Sequence, residues 1–244
     1  MAGINYELAY MTRPEVEEAV KKIKTVILPF GATEQHGPHL PLGTDTFLAR
    51  GLAQKLAERI EALVLPEIPV GYSYVWKGIP GTVSIHQETV KILVKDVAKS
   101  LHEYGIERLI ILNTHGANSS ALKYAARELA GEISMEIFYF TYPALDEVAK
   151  IAESPRWHGM VHACEIETSW LLALHPELCD MEKAVAEYPE GSEVSKYHYS
   201  SLPMGVLSKS GVFGDATLAT KEKGEVMLEK IIEHMEKVIR GEKM

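Results

Sequence analysis

The sequence predicts an α/β fold, with a mostly parallel sheet flanked by helices. Short apolar runs alternate along the chain with longer segments whose apolar residues recur every three or four positions. Glycine-rich and polar loops follow three of the apolar runs. Alternating strands and helices are typical of parallel sheets, whose functional loops lie beyond the carboxyl ends of the strands. We therefore expect a single domain over residues 1–244, with its site at that edge.

Four apolar runs are predicted as strands: residues 24–30, 63–65, 108–113 and 133–142. Between and after them, six segments are predicted as helices. They are a short one entered through Thr12 and Pro14, one opening at 44–46, then 87–104, 120–130, 165–174 and 223–240. The stretch from 66 to 85 contains six prolines and glycines and is predicted to be irregular. Loops of that length in a compact domain are often functional.

Composition excludes several classes of protein. The formal net charge is −9, which argues against nucleic acid as a partner. No apolar run is long enough for a membrane helix. Cys164 and Cys179 are the only cysteines, too few for a disulfide framework, so we expect a reduced, cytoplasmic protein that acts on a small molecule.

The loop after the first strand carries a candidate metal site. Glu34 and His36 lie in it, and Asp45 follows where the next helix opens. Carboxylate oxygens and imidazole nitrogens are suitable ligands for Zn, Mn and Fe. The ordinary alternative is a polar loop in which Asp45 caps the helix.

Two further segments add polar candidates at the same predicted edge. His115 and Asn118 follow the third strand, although a single histidine is more often a hydrogen-bonded structural residue. His162 and Glu165 are spaced i, i+3 and would share a helix face, whereas Glu167 would leave that face unless the chain enters the helix in a non-helical conformation. The alternative is that these acidic residues only complement the helix dipole.

Trp76 and Trp157 are the aromatic candidates for a substrate pocket. Trp76 lies in the irregular stretch, and Trp157 lies shortly before His162. Both can equally pack under loops, because buried indole rings are common in protein cores.

At this point the residues resemble the creatininase (creatinine amidohydrolase) family. Four segments carry the resemblance in order: Gly31 to Asp45, Asn113 to Asn118, His162 to Ser169, and Gly211 to Asp215 with Ala219-Thr220 and Glu222 to Gly224. The first of them is similar to the leading motif of the family over its whole length. Together they span most of the chain.

The resemblance implies a metal site with two divalent ions, Zn, Mn or Fe. Glu34, Asp45 and His115 would hold one ion, and His36 and Asp45 would hold the other with one more carboxylate. In creatininases proper that carboxylate is a Glu two residues after the histidine of the second motif, where this sequence has Ala117. Glu165 is the replacement candidate, and the departure places the chain in a branch other than creatininase proper.

For function, the resemblance implies a hydrolase in which a metal-bridging hydroxide attacks a carbonyl carbon. His162 or Glu167 would shuttle the proton, and Trp76, Trp157 and Asn118 would contact the substrate. The expected reaction is cleavage of a cyclic or formyl amide C–N bond. Two alternatives stay open: ring opening of an oxidised (diketo) inositol, and a non-catalytic metal- or metabolite-binding module. The resemblance also implies a homohexamer built as a trimer of dimers.

Overall fold

The computed structural model describes residues 6–243, and a four-stranded parallel sheet lies at its centre. Its strands are β1 (Thr25–Phe30), β2 (Leu63–Val64), β3 (Arg108–Asn113) and β4 (Glu136–Thr141), in the order β2-β1-β3-β4. Phe30 pairs with Asn113, and Asn113 pairs with Thr141. The last residues of three strands are therefore level, and the loops that follow them emerge side by side.

Helices occupy both faces of this sheet, which confirms the predicted fold class. They are α1 (Arg13–Lys22), α2 (Thr44–Ile60), α3 (Gln87–Glu103), α4 (Ser119–Leu129), α5 (Leu145–Ala149), α6 (Glu165–Leu174), α7 (Ser192–Tyr197) and α8 (Lys221–Arg240). Of these, α5 and α7 were not predicted, because each is too short to show a helical period. The prediction of a single domain over the whole chain stays a prediction.

Alternate residues of the central strands point into two separate apolar layers. Ile27 and Ile110 pack among residues of α2, α6 and α8. Leu28 and Leu109 pack on the opposite side among residues of α1, α3 and α4. All four side chains are almost completely buried. Burial on both faces explains why these strands are continuous apolar runs rather than alternating ones.

The close approach of α6 and α8 sets the position of α6. A Cβ atom on Gly224 would lie 1.8 Å from the carbonyl oxygen of Ser169, so glycine lets the two helices pack together. Thr220 begins α8 by accepting a hydrogen bond from the Lys223 N–H (3.2 Å), and its own N–H donates to Ser169 Oγ (3.2 Å).

The entry into α6 differs from the prediction. The helix begins at Glu165, and the two residues before it are not helical: Ala163 has φ +49° and Cys164 is extended. His162 therefore lies in a loop, and the i, i+3 relation with Glu165 does not apply. Asp45 is likewise not a cap, because Gly43 occupies the N-cap position of α2 and Asp45 lies within its first turn.

Two smaller features complete the architecture. Two-residue strands β5 (Ala186–Glu187) and β6 (Gly214–Asp215) pair antiparallel in a second sheet, and segments this short have no sequence period to predict them. Within residues 6–243, no helix has the length and hydrophobicity that crossing a bilayer requires.

Candidate metal centre

Five acidic and histidine side chains meet at the carboxyl edge of the central sheet. Glu34 and His36 come from the loop after β1, Asp45 from the first turn of α2, His115 from the residues after β3, and Glu167 from the first turn of α6. None is more than 5% exposed. Parallel strands that end level bring these distant segments of the chain together.

The Asp45 carboxylate lies between the two histidines. Its Oδ1 is 3.2 Å from His36 Nε2, and its Oδ2 is 3.1 Å from His115 Nδ1. Glu34 Oε1 lies 3.3 Å from the same His115 nitrogen, and Glu167 Oε2 lies 3.5 Å from the same His36 nitrogen. One carboxylate therefore joins a His115 side of the cluster to a His36 side.

Backbone carbonyl groups fix which nitrogen of each ring faces the cluster. His36 Nδ1 donates to the carbonyl oxygen of Glu34 (3.1 Å), and His115 Nε2 donates to that of Tyr72 (3.0 Å). The proton of each neutral ring is thereby held on the outward nitrogen, and the inward nitrogen keeps its lone pair. This arrangement is typical of metal-binding histidines.

His162 has the opposite arrangement because of Gln35. The Gln35 Oε1 accepts from the Gly37 N–H and its Nε2 donates to the Gly211 carbonyl oxygen, both at 3.1 Å, which fixes the orientation of the amide. The same Nε2 lies 2.7 Å from His162 Nε2. An amide nitrogen can only donate, so this ring nitrogen accepts. The proton of the neutral ring must lie on Nδ1, which is 3.7 Å from Glu34 Oε1.

Gly211 makes this contact possible. It has φ +85°, and a Cβ atom there would lie 1.8 Å from Gln35 Oε1. Only glycine gives both the backbone conformation and the space. A residue of the fourth sequence segment thus supports a residue of the first.

The pKa values show that the cluster requires positive charge. Burial alone would lower the pKa of His36, but Asp45 and Glu167 raise it to about 10. Burial likewise opposes the carboxylates of Glu34 and Asp45, which raise the pKa of His115 to about 9. Burial raises the pKa of Glu34, and raises that of Glu167 to about 7. Three carboxylates and two imidazoles are therefore balanced only by protons or cations.

Unpartnered atoms show that divalent cations fit this requirement. Glu34 Oε2, His36 Nε2 and Asp45 Oδ2 are buried and have no hydrogen-bond partner. Such atoms are rare in a folded protein and need an explanation. The cluster contains three overlapping groups of three residues whose ligand atoms lie within 4.8 Å of one another: Glu34, Asp45 and His115; His36, Asp45 and Glu167; and Glu34, His36 and His162. This donor set suits Zn, Mn and Fe.

Glu165, which we expected to be a ligand, does not lie in the cluster. Its carboxylate accepts hydrogen bonds from Lys223 Nζ (2.6 Å) and from the N–H groups of Glu153 and Ser154 (3.0 and 2.7 Å). The non-helical entry into α6 explains the difference, since it turns Glu167 rather than Glu165 toward His36. The sequence pattern had included this case but could not choose it.

The three residues predicted to contact substrate have different surroundings. Trp76 reaches the cluster: its indole N–H donates to Glu34 Oε1 (3.0 Å), and its ring stacks on His162 with centroids 4.5 Å apart. Trp157 is buried and donates to the Pro189 carbonyl oxygen (2.8 Å). Asn118 is fully buried and joins three loops through Tyr72, Gly31 and Asn113.

Sequence reasoning missed three residues around the cluster. Gln35 orients His162 as described above. The Tyr142 hydroxyl donates to the Thr114 carbonyl oxygen (2.8 Å) and lies 3.4 Å from Glu167 Oε1. Ser73 Oγ lies 3.4 Å from His115 Nε2. Gln35 stands between two predicted ligands, and that position was the only available signal.

The fold and the cluster define an α/β protein with a buried site of acidic and histidine ligands. The family model described as creatinine amidohydrolase matches residues 9–239. A 3-dehydro-scyllo-inosose hydrolase from Thermotoga maritima is 31% identical, over 94% of this chain and 81% of that protein. A creatinine amidohydrolase from Pseudomonas putida is 30% identical over 89% of each.

Solved structures agree with these matches. A crystal structure of creatinine amidohydrolase superposes with a TM-score of 0.84 at 30% identity, covering 97% of each chain. Other matching structures are described as a Zn-Zn type and as a Mn form of creatininase. A more distant relative, 27% identical over 85% of this chain and 86% of that protein, is a 2-amino-5-formylamino-6-ribosylaminopyrimidin-4(3H)-one 5'-monophosphate deformylase from Methanococcus maripaludis.

The chain belongs to the creatininase family and is a hydrolase. At about 30% identity it is not creatininase proper. The alternative of a non-catalytic binding module is not supported, because these relatives are enzymes.

Proposed function

We propose that this chain is a hydrolase that holds two divalent metal ions and cleaves the C–N bond of a cyclic or formyl amide. The observation that carries the proposal is the position of Asp45, whose two oxygens face different histidines at 3.2 and 3.1 Å. A carboxylate placed in this way can bridge two ions. The solved creatininases described as Zn-Zn and Mn forms support the same metals here.

The hydrogen bonds favour two of the three possible ligand groups. A histidine binds a metal through an unprotonated nitrogen. His115 and His36 each present such a nitrogen to the cluster, whereas the nitrogen that His162 presents carries a proton. We therefore assign one ion to Glu34, Asp45 and His115, and the other to His36, Asp45 and Glu167. In this assignment Glu167 replaces Glu165 as the fifth ligand.

When bound, divalent ions at such a site lower the pKa of a water molecule and polarise a substrate carbonyl group. The protein contributes a buried cavity edge from which bulk water is excluded. His162 Nδ1–H points into the cluster and can donate a hydrogen bond to the oxygen or nitrogen atom that gains charge during the reaction. Trp76, stacked on His162, forms a wall of the substrate site.

These roles narrow the proton transfer predicted from sequence. With Nε2 engaged by Gln35, His162 acts as a hydrogen-bond donor rather than as a base in the ground state. We assign Asn118 and Trp157 to support of the surrounding loops, because their polar groups already have protein partners.

The amide substrate is favoured by two relatives whose names specify C–N chemistry, an amidohydrolase and a deformylase. Ring opening of an oxidised inositol is the second candidate, favoured by the inosose hydrolase at 31% identity over 94% of the chain. We further propose, from the family alone, a cytoplasmic homohexamer arranged as a trimer of dimers.

Metal content tests the two-ion assignment. Protein purified without chelator and without added metal is expected to contain about two equivalents of Zn, Mn or Fe per chain by plasma mass spectrometry. The matched pair Glu167→Gln and Glu165→Gln separates the two candidate ligands. The first variant should lose about one equivalent, and the second should keep both. Loss from the second variant alone would reverse the ligand assignment.

Product analysis tests the reaction. Cyclic amides, formylated aminopyrimidines and diketo inositols are incubated with the metal-loaded protein, and products are identified by mass spectrometry. Turnover of an amide, absent in Asp45→Asn, supports the proposal. Turnover of the inositol ketone alone would establish the second candidate. Full metal content with no turnover of any of the three classes would contradict both.

A further inference from the structure

A large cavity lies on the outer side of the segment that contacts the metal centre. It has a volume of about 740 Å³ and lies between residues 72–77 and residues 197–203. Pockets for whole metabolites and cofactors typically have volumes of about 300–1,000 Å³. The cavity is therefore large enough for much more than a small amide ring.

One short segment separates this cavity from the cluster. Ser73 and Trp76 point inward, where they contact His115 and Glu34 at 3.4 and 3.0 Å. Their neighbours Tyr74 and Lys77 line the cavity. Side chains of alternating direction on residues 72–77 thus contribute to both sites, and a molecule seated in the cavity lies beside the metal centre.

The cavity lining is suited to an anion. Among the described residues, no acidic side chain lines it, although the whole chain has a net charge of −9. Lys77 Nζ lies 5.1 Å from the centre of the Tyr74 ring, and no carboxylate of the described residues forms an ion pair with it. Ser200 and Ser201 add hydroxyl donors on the opposite wall. An ammonium group and two hydroxyl groups are typical partners of phosphate or carboxylate.

We propose that this cavity is a binding site for an anionic substituent of the substrate, held by Lys77 with Ser200 and Ser201. The site thereby selects a substrate that combines a hydrolysable group at the metal centre with a phosphate or carboxylate some distance away. The inference rests on the proposed function only in taking the ligand of the cavity to be the substrate.

Equilibrium binding tests the site without reference to turnover. Three probes, ribose 5-phosphate, ribonate and ribose, are titrated into the metal-containing protein by calorimetry. We expect one of the two anions to bind at least about tenfold more tightly than neutral ribose, and the pair distinguishes phosphate from carboxylate. Equal affinity for all three probes would overturn the proposal.

Variants of Lys77 identify the cavity as the location. Lys77→Gln should weaken binding of the favoured anion about tenfold, and Lys77→Arg should retain most of it. Lys123→Gln is the matched control, because Lys123 also lies over a tyrosine ring, that of Tyr124 at 5.9 Å, but away from the cavity. Binding that is independent of Lys77 would indicate a phosphate on the metal ions and would overturn the proposal.

A second copy of the chain is the competing occupant. If it covers the cavity, Lys77→Gln would change the sedimentation coefficient and leave probe affinity unchanged, which also overturns the proposal. The outcome is separable from that of the proposed function. Lys77-dependent anion binding without amide cleavage would leave the site and remove the reaction, and amide cleavage without anion binding would do the reverse.

Discussion

Gln35 shows how a residue that binds no metal can determine the chemistry of its neighbour. Its amide is oriented by the backbone groups of Gly37 and Gly211, so its nitrogen faces His162. The proton of His162 is thereby kept on the nitrogen that points into the cluster. Gln35 is a positioning residue in this arrangement, since it acts through His162.

Replacing this donor by an acceptor should move the proton. In Gln35→Glu, the carboxylate would accept from His162 Nε2 and leave Nδ1 unprotonated. We expect the ¹⁵N chemical shifts of the His162 ring to exchange their assignment between the two nitrogens. Gln87→Glu, in the first turn of α3, is the control for added charge. Unchanged shifts in Gln35→Glu would show that Gln35 does not set the tautomer.

Glu165 has a structural role that can be tested separately from metal binding. Burial would raise its pKa, but hydrogen bonds from Lys223, Glu153 and Ser154 lower it below its usual 4.5. A carboxylate whose pKa is lowered by folding stabilises the protein above its unfolded-state pKa, and that contribution is lost as the pH falls through the folded-state pKa.

Glu165→Gln should therefore reduce the free energy of unfolding by about 1–3 kcal/mol at pH 7, because Lys223 loses a buried partner. The difference from the unmodified protein should shrink as the pH falls below about 4. Denaturant unfolding at several pH values measures it. A difference that grows toward low pH would contradict the assigned direction of the pKa shift.

At the scale of elements, the packing of α6 on α8 determines where Glu167 and Glu165 point. Gly224 allows that packing because the Ser169 carbonyl oxygen occupies the space of a side chain. A substitution here acts on the metal centre through the position of α6, although Gly224 itself is far along the chain from every proposed ligand.

Gly224→Ala should destabilise the protein by about 1–3 kcal/mol, since a methyl group in this contact forces the helices apart. It should also weaken binding of the ion assigned to Glu167 more than that of the ion assigned to Glu34. Thermal unfolding and competition with a chromogenic chelator measure the two effects. Gly241→Ala, where a Cβ meets no atom within 4 Å, is a control at a glycine of the same helix, although its φ of +68° adds backbone strain.

Much of the element pattern was predictable from sequence, and the reason is physical. β1 and β3 are buried on both faces, so their apolar runs are unambiguous, and level strand ends brought Glu34, Asp45 and His115 together as expected. The α6 entry was not predictable, because a positive φ at Ala163 has no signal in composition or period. That single dihedral decides between Glu165 and Glu167. Likewise, the hydrogen bonds of Asn118 and Trp157 depend on loops that only the folded chain brings near.

At the scale of the whole molecule, metal and fold should depend on each other. Three buried carboxylates repel one another, and cations that bind only the folded state stabilise it. Removing metal with a chelator should lower the free energy of unfolding by about 3 kcal/mol for each ion present at 100 times its Kd. Calorimetry measures the change, and Asp45→Asn should respond little to the chelator. An unchanged transition in the unmodified protein would contradict the ligand assignment.

The proposed hexamer is a separate prediction at this scale. Sedimentation velocity should give a single species of six times the 27.1 kDa chain mass. A monomer at micromolar concentration would remove the oligomer from the proposal and leave the metal centre unaffected.

The scattered origin of the ligands has a consequence for biosynthesis. The cluster takes residues from four segments between positions 34 and 167, and α6 is held in place by α8, which ends at Arg240. A ribosome must therefore release nearly the entire polypeptide before the donors can converge. Metal uptake is a late, post-translational event, and a prematurely terminated product would leave the cell's metal pool untouched.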